Sequence, residues 1–250
     1  MKLTVLGGCG AWPTADQACS GYVVEHEGFR LLLDPGYATL PRLLAQMSAE
    51  DVDAVLISHG HPDHCADLNP LLRARALSED PPPALPVHAL PGAVDAVLAL
   101  DKPQMLADAF TLRDFAVGRR FDVGPFQVES WALPHFVPNA GVRLTAGGRV
   151  LAYTGDTGPS EDIAVMARDA DLLLAEATFA ERMPPGHDPR YLSTARQAGA
   201  DAARAGVRRL ALTHLWPGTD QAAARAAARH ACPADVDIDV ATPGLAIDVG

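Results

Sequence analysis

The chain has 250 residues, of which 48% are hydrophobic and 20% are charged, so its composition excludes an intrinsically disordered protein. Its formal net charge is −11, and its Lys and Arg residues come at most in adjacent pairs, so a large nucleic acid is not the expected ligand. No apolar run reaches the roughly 18 residues of a membrane helix, the N-terminus is unlike a signal peptide, and the scattered cysteines favour a reduced, cytoplasmic protein with no membrane partner.

The first half of the chain alternates between strand-like and helix-like patterns. Residues 2–6 are strand-like and lead into a glycine-rich turn, and DAVLIS at 53–58 has the apolar centre typical of a strand buried on both faces. The segment 80–86 is rich in proline, which favours an extended connector. We further predict a hairpin at 21–34 and helices at 39–47, 64–78 and 92–100.

The second half continues this alternation. FQVESWAL at 126–133 alternates between apolar and polar residues, as a half-buried strand does. We also predict a hairpin at 141–154, strands at 171–175 and 209–213, helices at 193–205 and 220–231, and two last strands within 237–249. Because no clear linker interrupts the pattern, we expect one α/β domain over residues 1–250.

The segment VLISHGHPDHCADL, residues 55–68, is the strongest candidate for a metal site. Three of the nine histidines fall within it, directly after an apolar run. His59 and His61 are two residues apart, so a turning loop can aim both at one ion, and Asp63 and His64 follow at once and can reach a second ion. Imidazole and carboxylate are the usual ligands of zinc. A chance polar loop is a poor alternative, because the motif fixes several positions behind a buried strand.

Three other apolar runs also end on a candidate ligand, namely His135, Asp156 and His214. The carboxyl ends of strands in α/β folds are where ligands collect, so these side chains could surround one cavity with the first motif. Seven candidates are enough for two ions, and the two carboxylate oxygens of Asp156 make it the natural bridge. The isolated histidines are better explained as surface or core residues: His26, His88 and His230.

With these seven positions, and with the segments LLLDPG, YTGDT and LTHLWP around Asp34, Asp156 and His214, the chain resembles the metallo-β-lactamase superfamily of metallohydrolases. The resemblance covers nearly the whole chain. It implies an α/β fold of four αββα layers, with two mixed sheets flanked by helices and the metals at one edge between the sheets. It implies one metal held by His59, His61 and His135, a second held by Asp63, His64 and His214, and Asp156 as the bridge. Asp34 would orient ligands from behind.

The opening LGGCGAWPT, the run EATF at 176–179 and the block STARQAG at 193–199 are similar to the ribonuclease Z branch and its phosphodiesterase-like relatives. Two departures argue against a tRNA 3′-processing enzyme. The span from His135 to Asp156 suits a hairpin and is too short for the long tRNA-gripping arm of such enzymes. The family's His-Ser-Thr sequence begins with Leu192 here, so Glu176 lacks the histidine that pairs with it in the family.

His187, in the loop PPGHDPRY, is our candidate to replace that histidine beside Glu176. The imidazole would steady the phosphate or protonate the leaving group. The alternative is a loop histidine that faces solvent. Asp63 could also receive the proton of the attacking water. The predicted catalytic residues are therefore Asp63, Glu176 and His187.

These features predict a metal-dependent hydrolase, most specifically a phosphodiesterase that acts on a small phosphodiester or cyclic nucleotide through a hydroxide bridging two divalent ions. Zinc is the first choice of metal, and manganese and iron are alternatives. The expected partner is a small anionic substrate, and a homodimer is an expectation at family level only. Three other functions stay open: a ribonuclease Z-type endonuclease, a lactone or thioester hydrolase, and a non-catalytic metal-binding protein.

Overall fold

The first of two central sheets contains the histidine motif at the end of one strand. The computed structural model describes residues 1–250, with the side chain of Pro103 excepted. The strands of this sheet are β1 (Lys2–Gly7), β2 (Gly21–His26), β3 (Phe29–Leu33), β4 (Ala54–Leu56), β5 (Leu85–Ala89), β6 (Phe110–Asp114) and β14 (Ala246–Asp248). Their order is β14-β1-β2-β3-β4-β5-β6, and β3 to β6 run parallel, so the sheet is mixed.

The second sheet carries the other candidate ligands. Its strands are β7 (Arg120–Val123), β8 (Phe126–Leu133), β9 (Asn139–Ala146), β10 (Arg149–Tyr153), β11 (Leu172–Glu176), β12 (Arg209–Thr213) and β13 (Asp237–Val240). Their order is β13-β12-β11-β10-β9-β8-β7. Strands β10 to β13 are parallel, whereas β7, β8 and β9 pair antiparallel.

Helices cover the outer face of each sheet. On the first sheet these are α1 (Leu40–Leu44), α2 (Pro62–Cys65), α3 (Leu68–Ala76), α4 (Asp95–Leu98) and α5 (Pro103–Leu106), with a 3₁₀ turn at Ala49–Asp51. On the second they are α6 (Glu161–Met166), α7 (Ala195–Ala205) and α8 (Gln221–Ala231). Among the described residues, no helix is long and apolar enough to cross a membrane.

Alternating side chains build the four layers. In β11, Leu172 and Leu174 point into the core between the two sheets, whereas Leu173 and Ala175 pack against the α6–α8 side. Since a strand presents successive side chains to opposite faces, a run that is apolar at every position is buried on both. The two sheets packed face to face, with helices outside, confirm the αββα arrangement that the resemblance implied.

The structure differs from the predicted elements at the sheet edges. Strands β6 and β7, each the last strand of its sheet, and the short helix α6 were not predicted. The proline-rich segment 80–86 was predicted as a connector throughout, which is wrong at its end, because Leu85 and Pro86 belong to β5. Pro86 is tolerated there as the second residue of a short strand, and Leu85 is buried.

The strand directions bring the predicted ligands to one edge of the sandwich. Strands β8, β10 and β12 point the same way, since β8 and β10 are both antiparallel to β9 and β10 to β12 are parallel. Their carboxyl ends precede His135, Asp156 and His214. The motif after β4 meets them there from the other sheet.

Candidate metal centre

A first group of donor atoms comes from both sheets. His59, His61, His135 and Asp156 each offer one atom, and these atoms lie within 4.8 Å of one another. The Nε2 atoms of His59 and His135 are each 3.7 Å from Oδ2 of Asp156. Nε2 of His135 is 3.0 Å from Nδ1 of His61. The structure thus brings together four of the seven predicted ligands in this group.

A second group shares Asp156 with the first. It consists of Asp63, His64, Asp156 and His214, with donor atoms again within 4.8 Å of one another. Nε2 of His64 is 3.1 Å from Oδ1 of Asp156, and Nε2 of His214 is 3.1 Å from Oδ2 of the same carboxylate. Nε2 of His214 also lies 3.2 Å from Oδ2 of Asp63. All seven predicted ligands therefore lie at one centre.

The spacing of these atoms suits divalent cations. Ligands at about 2.1 Å from a tetrahedral zinc ion lie about 3.4 Å from one another. Several donor pairs here are 3.0 to 3.8 Å apart, and all donor atoms of a group lie within 4.8 Å. Nε2 of His59, Nε2 of His64 and Oδ1 of Asp156 are buried, and none of them makes a well-directed hydrogen bond among the described residues, although the last two lie 3.1 Å apart. Because an unsatisfied buried polar atom is costly, these orphaned atoms fit two cation sites with a shared carboxylate.

Local sequence positions the ligands of the first motif. After β4 the chain bends at Ser58 and Gly60, and His61 becomes the N-cap of the short helix α2 with Pro62 as its first residue. The fixed φ of proline starts the helix, so Asp63 and His64 are carried on its first turn. The loop and the helix thereby direct two pairs of ligands toward one cavity.

The His214 ring packs closely against the backbone of Gly10. It has a left-handed backbone conformation with φ of 56°. A Cβ on Gly10 would lie 2.8 Å from the His214 ring, which real contacts do not tolerate. The glycine-rich turn after β1 thus makes room for this ligand.

Asp34 supports two ligands from behind, as the resemblance implied. It is fully buried, and its Oδ2 lies 2.9 Å from Nδ1 of His64. The same carboxylate accepts hydrogen bonds from the backbone N–H and hydroxyl of Ser58 at 2.7 and 2.5 Å, and from Tyr153 at 2.6 Å. The Ser58 hydroxyl lies 3.0 Å from Nδ1 of His59. One carboxylate therefore orients His64 directly and His59 through a hydroxyl.

Glu176 holds His214 through a similar relay. The Thr178 hydroxyl donates to Oε1 of Glu176 at 2.5 Å and lies 3.0 Å from Nδ1 of His214. The backbone N–H groups of Ser193 and Thr157 also donate to this carboxylate. Sequence reasoning missed Ser58, Tyr153 and Thr178. The only available signal was that all three are hydroxyl residues within the quoted motifs.

The observed surroundings of Glu176 therefore differ from the predicted ones. It was interpreted as a carboxylate without a partner, but it accepts three hydrogen bonds, and none of those found among the described residues comes from His187. It is 1% exposed and lies behind Thr178, away from the cavity. Burial, and after it the negative charge of Asp156, raises its pKa to about 8. The carboxylate is thus linked to His214 through the Thr178 hydroxyl and does not line the cavity.

Burial and charge set the protonation of the ligands. Burial lowers the pKa of His59, His61 and His135, which favours the neutral imidazole that binds metals. Burial opposes the charged form of His64 and His214 as well, but the carboxylates around them outweigh it and raise the pKa of both. The same negative charge that raises the pKa of these two imidazoles would attract a cation to the second group.

Two other residues singled out in the sequence, His187 and Leu192, lie in the wall of a cavity at the metal centre. A cavity of about 440 Å³ opens onto the centre and is lined by His61, Asp63, His135, Asp156 and His214, and also by Phe136, Leu192, His187 and Trp216. The His187 ring packs edge-on against Phe179 at 4.8 Å and Trp216 at 5.3 Å. Leu192, which replaces the family histidine, is 8% exposed in the cavity wall.

Comparison with known proteins identifies the family of this chain. Residues 29–215 match the protein family described as "Beta-lactamase superfamily domain". The probable metallo-hydrolase YhfI of Bacillus subtilis (strain 168) is 31% identical over 224 residues, which cover 86% of this chain and 87% of YhfI. A crystal structure of YhfI, a metallo-β-lactamase fold protein, has a TM-score of 0.87 at 28% identity and covers 98% of both chains.

One further sequence relative and one further structure are similar to this chain. Ribonuclease Z of Kineococcus radiotolerans is 31% identical over 278 residues, which cover 91% of this chain and 88% of that protein. A diphosphatase of the PhnP family shares the fold, with a TM-score of 0.75 at 18% identity, over 100% of this chain and 98% of its own. The chain therefore belongs to the beta-lactamase superfamily domain family, as a metallo-β-lactamase-fold metallohydrolase that is similar in sequence to a ribonuclease Z.

Proposed function

We propose that this protein is a dinuclear metal-dependent phosphodiesterase that acts on a small phosphodiester. The observation that carries the proposal is the pair of donor groups that share Asp156 at the wall of one cavity. A two-metal centre is the arrangement that clamps both oxygens of an in-line displacement at phosphorus. Two acidic ligands among seven leave the loaded centre positive, which suits an anionic substrate.

The proposed ligands follow the two groups. The first ion would be held by His59, His61 and His135, the second by Asp63, His64 and His214, with Asp156 common to both. Zinc fits the imidazole-rich donor set, and manganese and iron are alternatives with similar ligand preferences. Bound in these positions, the cations would supply Lewis acidity and water of lowered pKa.

The chain's own side chains then orient the reactants. Asp63 lines the cavity, and its Oδ2 accepts a hydrogen bond from the backbone N–H of Ala11 at 2.8 Å, which fixes the carboxylate. We assign it the proton of the attacking water. Asp34 and Glu176 hold three imidazoles in place and keep their Nε2 atoms directed at the centre.

Size and charge favour a small substrate over a tRNA. The cavity measures about 440 Å³, in the range of small-molecule sites. The span from His135 to Asp156 contains only β9, β10 and the turn between them, so no tRNA-gripping arm is inserted there. The net charge of −11 also opposes a large polyanion. Ribonuclease Z activity remains the second candidate, because one relative carries that name.

A substrate panel on the metal-loaded protein tests the function. We expect two ions per chain and the highest kcat/KM on bis(4-nitrophenyl) phosphate or a cyclic nucleotide, with little turnover of a lactone or a thioester. Cleavage of precursor tRNA at a higher kcat/KM than any small diester, with a steep salt dependence, would identify the ribonuclease instead. A protein that keeps its metal and turns over nothing would be a metal-binding protein.

His187 supplies a second prediction within the proposal. If it protonates the leaving oxygen, His187→Ala should lower kcat/KM by roughly a hundredfold for a diester with an alkoxide leaving group. The loss should be small for 4-nitrophenolate, which leaves without a proton. The kinetics of both diesters measure this difference. His230→Ala, which changes a surface histidine with 68% side-chain exposure, is the matched control. Equal kcat/KM values for wild type and His187→Ala on both diesters would reduce His187 to a loop residue.

A further inference from the structure

A second cavity adjoins the metal centre. It measures about 620 Å³ and lies where the ends of β5 and β8 meet the loop after β6. Leu90, Phe115, Val117, Leu133 and Phe136 are among its lining residues. We call it the apolar cleft. It is larger than the cavity of about 440 Å³ that holds the candidate ligands.

The lining of the apolar cleft is almost free of polar side chains. Only His135 and Asn139 among its residues have one, and the lining contains no Lys, Arg, Asp or Glu. The cleft therefore offers no Lys or Arg side chain to a phosphate or a carboxylate. Proline rings at Pro91, Pro134 and Pro138 stiffen the backbone of its wall, so the cleft is formed before anything binds.

The apolar cleft is continuous with the metal centre. His135 and Phe136 line both cavities. The Phe136 ring lies 5.2 Å from the ring of the candidate ligand His135 and 4.9 Å from that of Tyr191, and the residue is 55% exposed. Phe136 is exposed and lines both the apolar cleft and the cavity at the metal centre. A single bound molecule that contacts Phe136 could therefore reach both cavities.

The shape of the contacts favours an aromatic group. Phe115 closes the cleft at 7% exposure and stacks on Phe121, with ring centroids 5.0 Å apart. Phe136 also lines the cleft and is 55% exposed. A planar ring bound in the cleft would bury apolar area against these aromatic side chains and cover part of the exposed Phe136.

We propose, on the basis of the proposed function, that the apolar cleft binds an uncharged aromatic ester group of the substrate. The preferred phosphodiester would then place its phosphoryl group at the metal centre and an aryl or heteroaryl group in the cleft. Residues such as Val117 and Phe136 would determine specificity without touching the reacting atoms.

Two phosphonates test this without any turnover. Phenylphosphonate and methylphosphonate share an anionic head group and differ only in the organic group. On zinc-loaded wild-type protein, calorimetry should show phenylphosphonate binding about tenfold more tightly. Val117→Asp puts a carboxylate at the mouth of the cleft, where Val117 is 38% exposed and the fold can accept it. This variant should bring the ratio of the two dissociation constants close to one.

Val165→Asp is the matched control, because Val165 is 47% exposed on α6 and lines neither cavity. It should keep the wild-type ratio.

A wild-type ratio near one, with both phosphonates bound, would overturn the assignment of the cleft alone. If neither phosphonate binds the zinc-loaded protein, the anion site of the proposed function fails as well. A Val117→Asp variant that changes from dimer to monomer in gel filtration, with its phosphonate ratio unaltered, would assign the cleft to a second copy of the chain instead.

Discussion

Replacing Asp156 by Asn is expected to weaken both metal sites together and to lower kcat/KM on a phosphodiester by more than about a hundredfold. Substitutions that only orient a ligand typically cost 10–100-fold, and Asp156 is the one side chain that belongs to both donor groups. Its oxygens lie 3.1 Å from His64 and His214 and 3.7 Å from His59. The amide keeps the shape of the side chain and removes the charge that would offset the two proposed cations.

Metal content per chain after gel filtration and steady-state kinetics measure the Asp156→Asn effect. Asp122→Asn makes the same chemical change at an exposed position in β7, and it should retain two ions and wild-type kcat/KM. Loss of only one ion from Asp156→Asn would show that the carboxylate serves a single site. Full metal content with full activity would contradict the shared ligand altogether.

The ligand set was predictable because it depends on two local regularities. Each candidate follows an apolar run, and parallel strands bring such ends to one edge whatever the sheet order. Asp156, for example, follows β10 by three residues, and His214 follows β12 directly. The double-sided burial of β4 and β11 was equally visible, because both read as continuous apolar runs.

The edge strands β6 and β7 could not be predicted in the same way, whereas the edge strands β13 and β14 lie within the segment predicted to form the two last strands. Strand β6 is exposed at nearly every position, and β7 buries only Val123. An edge strand with one neighbour and little burial shows no apolar period, so only its pairing in the folded sheet defines it. The start of β5 within the proline-rich segment was missed for a related reason. The burial of this strand depends on α3, α5 and β6, which surround it only in the folded protein.

The relays behind the imidazoles are also a product of the tertiary structure. Glu176 and Thr178 are close in sequence, but their link to His214 joins the ends of two neighbouring strands, β11 and β12. The family pattern suggested that Glu176 needs an imidazole where Leu192 stands. In the folded chain, a threonine hydroxyl and two backbone N–H groups satisfy the carboxylate instead. A residue-by-residue comparison of motifs does not reveal such a substitution of partners.

Replacing Asp34 by Asn is expected to lower metal affinity, and kcat/KM with it, by about 10–100-fold. All four contacts of the Asp34 carboxylate are with groups that can donate, including Nδ1 of His64 at 2.9 Å. A carboxylate only accepts, so it holds the proton of His64 on Nδ1 and leaves Nε2 free for a cation. An amide NH₂ group at the Oδ2 position would need Nδ1 to accept, and would move the proton to Nε2.

Tyr153→Phe separates this tautomer effect from the loss of a single hydrogen bond. It removes the 2.6 Å hydrogen bond to Asp34 and leaves the carboxylate on His64, so it should cost about 1 kcal/mol of unfolding free energy and change metal affinity little. Zinc titration against a chelating dye measures both variants, and the weaker binding of Asp34→Asn should appear mainly at the site that contains His64. If Tyr153→Phe weakens zinc binding as strongly as Asp34→Asn does, the tautomer explanation is contradicted. Asp34 would then matter for zinc binding because it supports the packing of the loop, and not because it keeps the proton of His64 on Nδ1.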